Sequence, residues 1–536
     1  MSDPEGGPLR LLIADPLLPD GIATLRAAAG LVVEDLSEGD REALLDALPG
    51  ASALIVRSRT TVDAELMQAG ESLRVIGRAG VGVDNIDIPS ATRRGIAVLN
   101  APAANTYSTA EMAFGLLLAA ARRLPEADST IRAGEWKRKE LRGTQLSGKT
   151  IGVIGLGRIG AEVALRARAF GMRVVAHDPF VNLERAGDLG VELVDLETLL
   201  RMCDAITLHV PLSDENRGLI GREEIAAMRP GVILVNAARG GLVAEPALAE
   251  GLASGQLGAA GLDVYETEPL PADSPLRDAP HLVFSPHLGA STFEAQRQVS
   301  RQIAVAVRDA LLENDYSGAL NAPFEAEDRD GAGAIMELGR CLGRLLAGLD
   351  DAPPRRIEVG YGGPRDGVLG PLAASVAVGF LEMRVEPPLN VVNALSIAAE
   401  RGLEIARVRT QAVGDYTNYV ELCATSAPGD ERIVGGALMG TRMEPRIVRV
   451  GVFRVDTVPR GTCLLIRNRD QPGVIGAVGT VLGAANANIA EYHLARRRGG
   501  GRSLGVVRID GQLPPDILRD LVELDAVDEV QQISFD

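Results

Sequence analysis

The 536-residue chain is poor in cysteine, in aromatic side chains and in positive charge. Its four cysteines lie far apart and form no CxxC pair, so the sequence predicts neither a disulfide framework nor a cysteine zinc site. With 55 basic against 72 acidic residues the net charge is −17, which argues against nucleic acid or an anionic membrane as a partner. We therefore expect no metal centre, no nucleic-acid partner and no membrane partner.

Long apolar runs are also missing. No segment approaches the ~18 consecutive apolar residues that a bilayer-spanning helix requires. The first residues lack the charged start and apolar core of a secretory signal. We expect a cytoplasmic protein, and at roughly 150 residues per domain the length predicts about three or four domains.

Glycine, in contrast, is plentiful, with 61 residues, and one glycine cluster has the spacing of a dinucleotide-binding loop. Residues 155–160 read GLGRIG after an apolar segment. Gly155 permits a tight turn, Gly157 lets the backbone approach a pyrophosphate, and Gly160 lets the helix pack close to the strand. Asp178 follows at the distance expected of a carboxylate that binds the adenosine ribose and repels a 2′-phosphate. The pattern predicts NAD rather than NADP as the cofactor.

Strand and helix patterns alternate on both sides of this loop, which predicts parallel sheets whose ligands bind at the carboxyl ends of the strands. Residues 20–29 and 111–124 predict helices, and the STFE sequence at 291–294 predicts a capping box that opens a helix to about residue 312. The predicted strands are 9–14, 31–34, 53–56, 73–76, 97–99, 151–154, 172–177, 206–210, 232–236 and 282–284.

The C-terminal part has a different order. A charged, glycine-bearing segment at 325–333 predicts a linker. Mixed patterns follow over 334–455, with a helix predicted at 389–401 and a strand near 447–455. The last module has a βαββαβ order, which is typical of a ferredoxin-like sandwich. Its predicted strands are 464–466, 489–495, 504–509 and 530–535, and its predicted helices are 472–486 and 514–524.

Three strand-end loops carry side chains suited to hydride transfer from a secondary alcohol. Of the five histidines, His287 follows a predicted strand and is well placed to take the hydroxyl proton. Arg239 follows another predicted strand among small residues, and its guanidinium suits a carboxylate and the adjacent carbonyl oxygen. A carboxylate beside His287 would hold the imidazole in a useful orientation. Spacing alone leaves Glu268, Glu266 and Asp263 open for that role.

Five motifs in this order resemble the D-isomer-specific 2-hydroxyacid dehydrogenase family. They are GRAGVGVDNID at 77–87, GLGRIG at 155–160, NAARGG at 236–241, LDVYETEP at 262–269 and PHLGA at 286–290. In that family the glutamate directly before the proline is catalytic, which selects Glu268. Arg239 and His287 match the substrate-binding arginine and the acid/base histidine of the family.

The resemblance implies an α/β fold with a Rossmann-type cofactor domain inserted into a flavodoxin-like substrate domain. The substrate domain would comprise residues 1–102 and 293–325, and the cofactor domain residues 103–292. Long members of the family continue with an α+β intervening domain, here 326–455. The ferredoxin-like module at 460–536 resembles an ACT regulatory domain.

Further binding residues follow from the same resemblance. Val81 stands where many relatives have threonine, and Ala237 replaces a frequent cysteine or threonine. In the last module, Asp470 and Asn488 match positions where ACT domains bind a small amino acid, often L-serine. The positions that match the substrate pocket are Arg57, Arg78, Asn105, Ser108, Arg138 and Arg239. The positions that match the cofactor site are Val81, Gly155, Gly157, Arg158, Ile159, Gly160, Asp178, Val210, Pro211, Ala237, Asp263, His287 and Ala290.

The reaction that the resemblance implies is NAD-dependent oxidation of 3-phosphoglycerate to 3-phosphohydroxypyruvate, in a homotetramer that L-serine regulates. Two other functions stay open at this level. One is reduction of unphosphorylated acids such as glyoxylate or hydroxypyruvate, which the pocket arginines argue against. The other is a dinucleotide-sensing, corepressor-like binding protein, against which the long C-terminal extension counts. The ACT-like module could also serve only as a contact between subunits.

Overall fold

The computed structural model describes residues 7–323, 332–349, 354–365, 367–385, 389–411, 416–427, 430–497 and 500–535. The predicted linker at 325–333 lies outside these ranges except for its last two residues, which already belong to a helix. Within the described ranges, four sheets and their helices account for the fold.

The first sheet is parallel and has the flavodoxin-like strand order β2-β1-β3-β4-β5. Because the strands are parallel, the loops after β1, β3 and β4 meet at one edge of the sheet. The strands are β1 (Leu9–Ile13), β2 (Leu31–Asp35), β3 (Ala51–Val56), β4 (Val75–Arg78) and β5 (Ala97–Leu99). The connecting helices are α1 (Pro19–Arg26), α2 (Arg41–Ala47), α3 (Ala64–Ala69) and α4 (Ile88–Arg93).

Two helices, α5 (Thr106–Arg122) and α6 (Leu124–Arg132), lead into the second sheet. The single helix predicted at 111–124 begins five residues earlier than expected and ends at Arg122, because the next residue, Arg123, has a φ of 54°. A left-handed residue cannot continue a right-handed helix, so the chain changes direction before α6. Periodicity did not reveal this break.

The second sheet is a parallel Rossmann sheet with strand order β12-β11-β10-β9-β6-β7-β8. Its switch point, between β6 and β9, opens a crevice at the carboxyl ends of the strands. The strands are β6 (Thr150–Ile154), β7 (Arg173–His177), β8 (Glu192–Leu193), β9 (Ala205–Leu208), β10 (Val232–Asn236), β11 (Leu257–Leu262) and β12 (Leu282–Phe284). The helices are α7 (Arg158–Ala169), α8 (Leu183–Asp188), α9 (Leu196–Met202), α10 (Arg222–Ala227) and α11 (Glu245–Ser254), with a 3₁₀ turn at Pro275–Asp278.

After β12 the chain returns to the first sheet through α12 (Phe293–Leu312). A Cβ at Gly77 of β4 would lie 2.5 Å from a methyl group of Val307, so this glycine allows α12 to pack closely. The predicted helix is present, but the capping box at 291–294 was wrong about which residue is the N-cap. Thr292 is the N-cap and its side chain accepts the Ala295 amide, because the chain turns one residue later than the STFE pattern indicated.

The third sheet is mixed, with strand order β14-β13-β15-β16-β17-β18. The strand predicted near 447–455 is a hairpin, since Gly451 turns the chain with a φ of 58°. The helix predicted from 389 begins at Ala394, because Asn393 accepts the Asn390 amide in a turn instead. The elements are α13 (Ala332–Gly348), β13 (Arg356–Gly362), α14 (Leu369–Leu381), α15 (Ala394–Glu400), β14 (Glu404–Arg409), β15 (Tyr419–Ala427), β16 (Asp430–Met439), β17 (Glu444–Val450) and β18 (Phe453–Thr457).

The last sheet is antiparallel and has the ferredoxin-like strand order β20-β21-β19-β22, which confirms the βαββαβ prediction. One of its faces shares a core with the third sheet's helices: Leu465 and Ile533 pack with Leu345 of α13. The elements are β19 (Thr462–Arg469), α16 (Val474–Ala484), β20 (Ile489–Arg496), β21 (Arg502–Ile509), α17 (Pro515–Val522) and β22 (Val527–Ser534).

None of the helices in the described part of the chain is long and apolar enough to cross a bilayer. The same residues include no group of three or more His, Cys, Asp or Glu side chains placed to hold a metal ion.

Candidate active site

A cavity of about 330 Å³ lies where the carboxyl ends of the Rossmann strands face the first sheet. Parallel topology explains this convergence, because loops that are distant in sequence leave the same edge of the sheet. The lining residues are Val81, Pro102, Asn105, Thr109, Arg158, Ile159, His209, Val210, Pro211, Ala237, Ala238, Arg239, Asp263, His287, Gly289 and Ala290.

The glycine loop between β6 and α7 is shaped for a close ligand. Gly155 has a φ of 91°, and a Cβ there would lie 2.7 Å from the His209 carbonyl oxygen. A Cβ at Gly160 would overlap the Gly155 carbonyl oxygen, whereas one at Gly157 would meet nothing within 4 Å. Asp178 accepts the Leu156 amide at 2.8 Å, which fixes the carboxylate beside the loop. Open space before the N-terminus of α7 therefore fits a pyrophosphate, with Asp178 near enough for the attached ribose.

Gly160→Ala is expected to destabilise the cofactor domain by roughly 1–3 kcal/mol, because the new methyl group overlaps backbone that cannot rotate away. A thermal melt and an NADH fluorescence titration would measure the loss of stability and of cofactor affinity. Gly115→Ala in α5 is the matched control, since a Cβ there meets nothing within 4 Å. That control should melt slightly higher than the parent, as alanine favours helix over glycine. Equal melting temperatures for the two variants would contradict the close packing of α7 on β6.

Among the three candidate carboxylates, Glu268 is the one that contacts His287. Its Oε2 lies 2.7 Å from His287 Nδ1, and its Oε1 accepts the Tyr265 amide at 3.1 Å. A carboxylate at Nδ1 favours the tautomer with the proton on that nitrogen, which leaves a lone pair on Nε2. The Glu266 amide instead donates to Glu245, on the surface. The His287–Glu268 pair has the arrangement of a base and its orienting group.

Asp263 and Ser108 hold the loop that carries His287. Asp263 is 1% exposed, and its oxygens accept the amides of Leu288 at 2.7 Å and Gly289 at 2.8 Å. The Ser108 hydroxyl donates to the Gly289 carbonyl oxygen at 2.6 Å. Ser108 was predicted to bind substrate, but in this structure its hydroxyl group already donates its hydrogen bond to Gly289. Both residues therefore act on the position of the histidine loop.

Tyr265 is a site residue that sequence analysis missed. Its hydroxyl donates to the Ser285 carbonyl oxygen at 2.9 Å, two residues before His287, and its amide holds Glu268. Burial raises the pKa of Tyr265 to about 12, so the hydroxyl stays a donor at neutral pH. The only available signal was an aromatic residue within the LDVYETEP motif, in a chain with few aromatics.

Three arginines approach one another beside the cavity. Burial, then repulsion from Arg239 and Arg57, lowers the pKa of Arg78 from its usual value. The Nε of Arg78 is buried and has no hydrogen-bond partner within the described residues. Arg239 lies 3.4 Å from a carboxylate oxygen of Asp84 and donates to the Ala238 carbonyl oxygen at 2.7 Å. The three neighbouring guanidinium groups, together with the unpaired Nε–H of Arg78, favour the binding of an anionic ligand.

Other predicted substrate residues differ in their surroundings. The Oδ1 of Asn105 is buried in the cavity wall without a partner, so it is open to a ligand. Arg138, in contrast, is exposed in the turn after α6. His209 lines the cavity as a neutral ring, because burial lowers its pKa to about 3.

The two predicted effector residues do not meet within one chain. Asp470 pairs with Arg496 at 3.3 Å, whereas Asn488 donates to Asp510 at 2.8 Å. Asn488 and Arg496 stand at opposite ends of β20, which at the usual rise per residue spans about 23 Å. A single small ligand could not touch both residues of one copy.

Comparisons with known proteins agree with this architecture. The model of the D-isomer specific 2-hydroxyacid dehydrogenase NAD binding domain matches residues 114–289, and that of the D-3-phosphoglycerate dehydrogenase intervening domain matches 333–451. The chain is 41% identical to the D-3-phosphoglycerate dehydrogenase of Archaeoglobus fulgidus over 97% of its own length and 98% of that relative.

Solved structures resemble somewhat more than half of the chain. The TT0316 protein from Thermus thermophilus is 38% identical with a TM-score of 0.54, covering 58% of this chain and 100% of that chain. A D-lactate dehydrogenase from Aquifex aeolicus, complexed with NAD and lactic acid, is 28% identical with a TM-score of 0.51, covering 58% of this chain and 98% of that chain.

Proposed function

The chain belongs to the D-3-phosphoglycerate dehydrogenase family, within the D-isomer-specific 2-hydroxyacid dehydrogenases, and we propose that its cavity oxidises D-3-phosphoglycerate at C2. NAD is the cofactor, and when bound it would supply the hydride acceptor. One observation supports this choice of substrate. His287, paired with Glu268, and Arg239 border the cavity, and Arg57 and Arg78 add positive charge next to Arg239. A hydroxy acid with a carboxylate at one end and a phosphate at the other needs both sets of groups.

The residues that would hold NAD follow the switch point of the Rossmann sheet. Arg158 and Ile159 begin α7, where free amides favour the pyrophosphate, and Asp178 would accept the ribose hydroxyls. Val210, Pro211, Ala237 and Ala290 form the remaining walls of the cavity, with Val81 opposite.

Arg239 would hold the substrate carboxylate and stabilise the negative charge that develops on the C2 oxygen. The Nε2 of His287 takes the hydroxyl proton as the C2 hydride leaves, and Glu268 stabilises the resulting imidazolium. The products are 3-phosphohydroxypyruvate, NADH and one proton. Arg57 and Arg78 would face the phosphate, with Asn105 at the cavity wall. Ser108 and Arg138 remain predicted substrate residues.

We further propose a cytoplasmic homotetramer that L-serine regulates through the last sheet. β20 is an edge strand of that sheet. If two copies paired their β20 edges antiparallel, Asp470 of one copy would approach Asn488 of the other, because the two residues lie near opposite ends of the strand. Such a pairing would form one effector site from two chains.

Initial rates of NADH oxidation would test both proposals, with 3-phosphohydroxypyruvate compared with hydroxypyruvate, each with and without millimolar L-serine. We expect a strong preference for the phosphorylated acid and a lower rate with serine. Equal rates on both acids would indicate a general 2-hydroxyacid reductase instead. Absence of turnover with either acid would favour a dinucleotide-sensing binding protein.

A further inference from the structure

A short loop, residues 57–60, carries Arg57 out of β3 towards the arginine cluster, and a buried carboxylate organises it. Asp15, which follows β1, is 1% exposed. Its Oδ2 accepts the Arg57 amide at 2.5 Å and the Thr60 amide at 3.2 Å. Its Oδ1 accepts the Thr60 hydroxyl at 2.7 Å and Arg59 Nε at 3.0 Å. Four donors from one loop therefore converge on one carboxylate.

The opposite side of this loop is held by one side-chain amide, that of Asn85. The Nδ2 of Asn85 donates to the Arg57 carbonyl oxygen at 2.7 Å and to the Thr60 carbonyl oxygen at 2.5 Å. Asp15 thus binds the amides of the loop ends while Asn85 binds their carbonyls. The backbone of Arg57 is fixed from both sides, although the loop lies at the protein surface.

The side chain of Arg57 is less constrained than its backbone. Its one hydrogen bond in the described structure is a long one, 3.4 Å to the Pro16 carbonyl oxygen. Arg239 lines the cavity, and Arg78 is repelled by both Arg239 and Arg57 because their charges are alike. Without a nearby anion, this repulsion would turn Arg57 towards solvent. Asp15 supplies a buried negative charge that attracts the cluster, and it holds the backbone of Arg57 in place.

We propose that Asp15 is a positioning residue for phosphate recognition, which it performs by fixing the 57–60 loop and hence the guanidinium of Arg57. This inference rests on the proposed function, since it assigns Arg57 to the phosphate end of the substrate. Asp15 touches no reacting atom. Its effect is therefore confined to the phosphorylated substrate and to KM, whereas hydride transfer from a bound acid proceeds normally.

Asp15→Asn is the direct test, because an amide presents its own N–H groups to four donors and cannot accept from all of them. We expect KM for 3-phosphohydroxypyruvate to rise about 10–100-fold, the size of effect that a misplaced charged contact produces. Both kcat with that acid and kcat/KM with hydroxypyruvate should stay within about twofold of the parent enzyme. A thermal melt and an NADH titration check that the variant is folded.

Asp63→Asn is the matched control. Asp63 lies in the same domain, caps α3 and pairs with Arg41, but does not bond to the 57–60 loop. It should leave the preference for the phosphorylated acid unchanged. If Asp15→Asn does not fold, Asn85→Ala releases the other side of the loop and should show the same selective rise in KM.

The outcomes separate this inference from the function on which it rests. A parent enzyme without preference for the phosphorylated acid would contradict the proposed function itself. A parent with that preference, together with a folded Asp15→Asn variant that keeps it, would overturn the positioning role alone. An equal fall in activity on both acids would also overturn it, because that result indicates only general damage to the domain.

Discussion

Replacing His287 with alanine is expected to lower kcat by about 10²–10⁴-fold, the contribution of one general base. The loss arises because no other described side chain pairs with Glu268 at this position in the cavity. Affinity for NADH should change little, since the glycine loop and Asp178 are untouched. Initial-rate kinetics with 3-phosphohydroxypyruvate and a fluorescence titration of NADH would measure the two quantities.

His281→Ala provides an unusually close control. His281, like His287, has a positive φ and pairs through Nδ1 with a glutamate, in this case Glu126 at 3.0 Å. It precedes β12, however, at the edge of the sheet opposite the cavity. Its removal should leave kcat near that of the parent. Near-full turnover of His287→Ala would show that another group takes the proton.

Arg239→Gln is expected to lower kcat/KM by about 10²–10³-fold, comparable to the loss of one donor to a developing oxyanion. The glutamine keeps a hydrogen-bond donor but lacks the charge and the planar fork that match a carboxylate. The same kinetic assay measures the effect, with NADH affinity as the check that the cofactor domain is intact. Arg239→Lys should recover only part of the loss, because a point charge cannot make two parallel hydrogen bonds.

Arg222→Gln serves as the control for charge alone. Arg222 lies at the start of α10 and pairs with Glu250 on the surface. Removing that exposed pair should leave kcat/KM and the melting temperature close to those of the parent, because solvent screens an exposed ion pair. If both arginine variants behaved alike, carboxylate recognition would have to be assigned to Arg57 or Arg78.

The position of the site could be predicted from sequence because parallel strands place their following loops together. His287 and Arg239 were identified as residues after strands, and the strand order brings them to one cavity. Spacing could not choose among Glu268, Glu266 and Asp263, because the choice depends on how the chain bends after β11. In the structure Asp263 is turned inward to two amides, while Glu268 reaches the histidine.

Residues that act through hydrogen bonds to backbone were harder to foresee. Asp15 and Tyr265 can be recognised only when the conformation of the loops that they hold is known. The hydrogen bond from the Ser108 hydroxyl to the Gly289 carbonyl oxygen could likewise not be predicted from sequence. Motif positions record which residue types recur, not which neighbour each one contacts. The helix break at Arg123 and the hairpin turn at Gly451 were not predicted for a related reason, because one residue with positive φ does not alter hydrophobic periodicity.

The core shared between α13 and the last sheet bears on how this enzyme could be shortened. Leu504 and Val506 of β21 pack against Val455 of β18 and against Leu345 of α13. A chain that ended before β19 would expose this apolar surface to solvent, and exposed apolar surfaces promote aggregation. Anyone designing a minimal catalyst from this protein should therefore delete the third and fourth sheets together, or redesign the uncovered face with polar side chains.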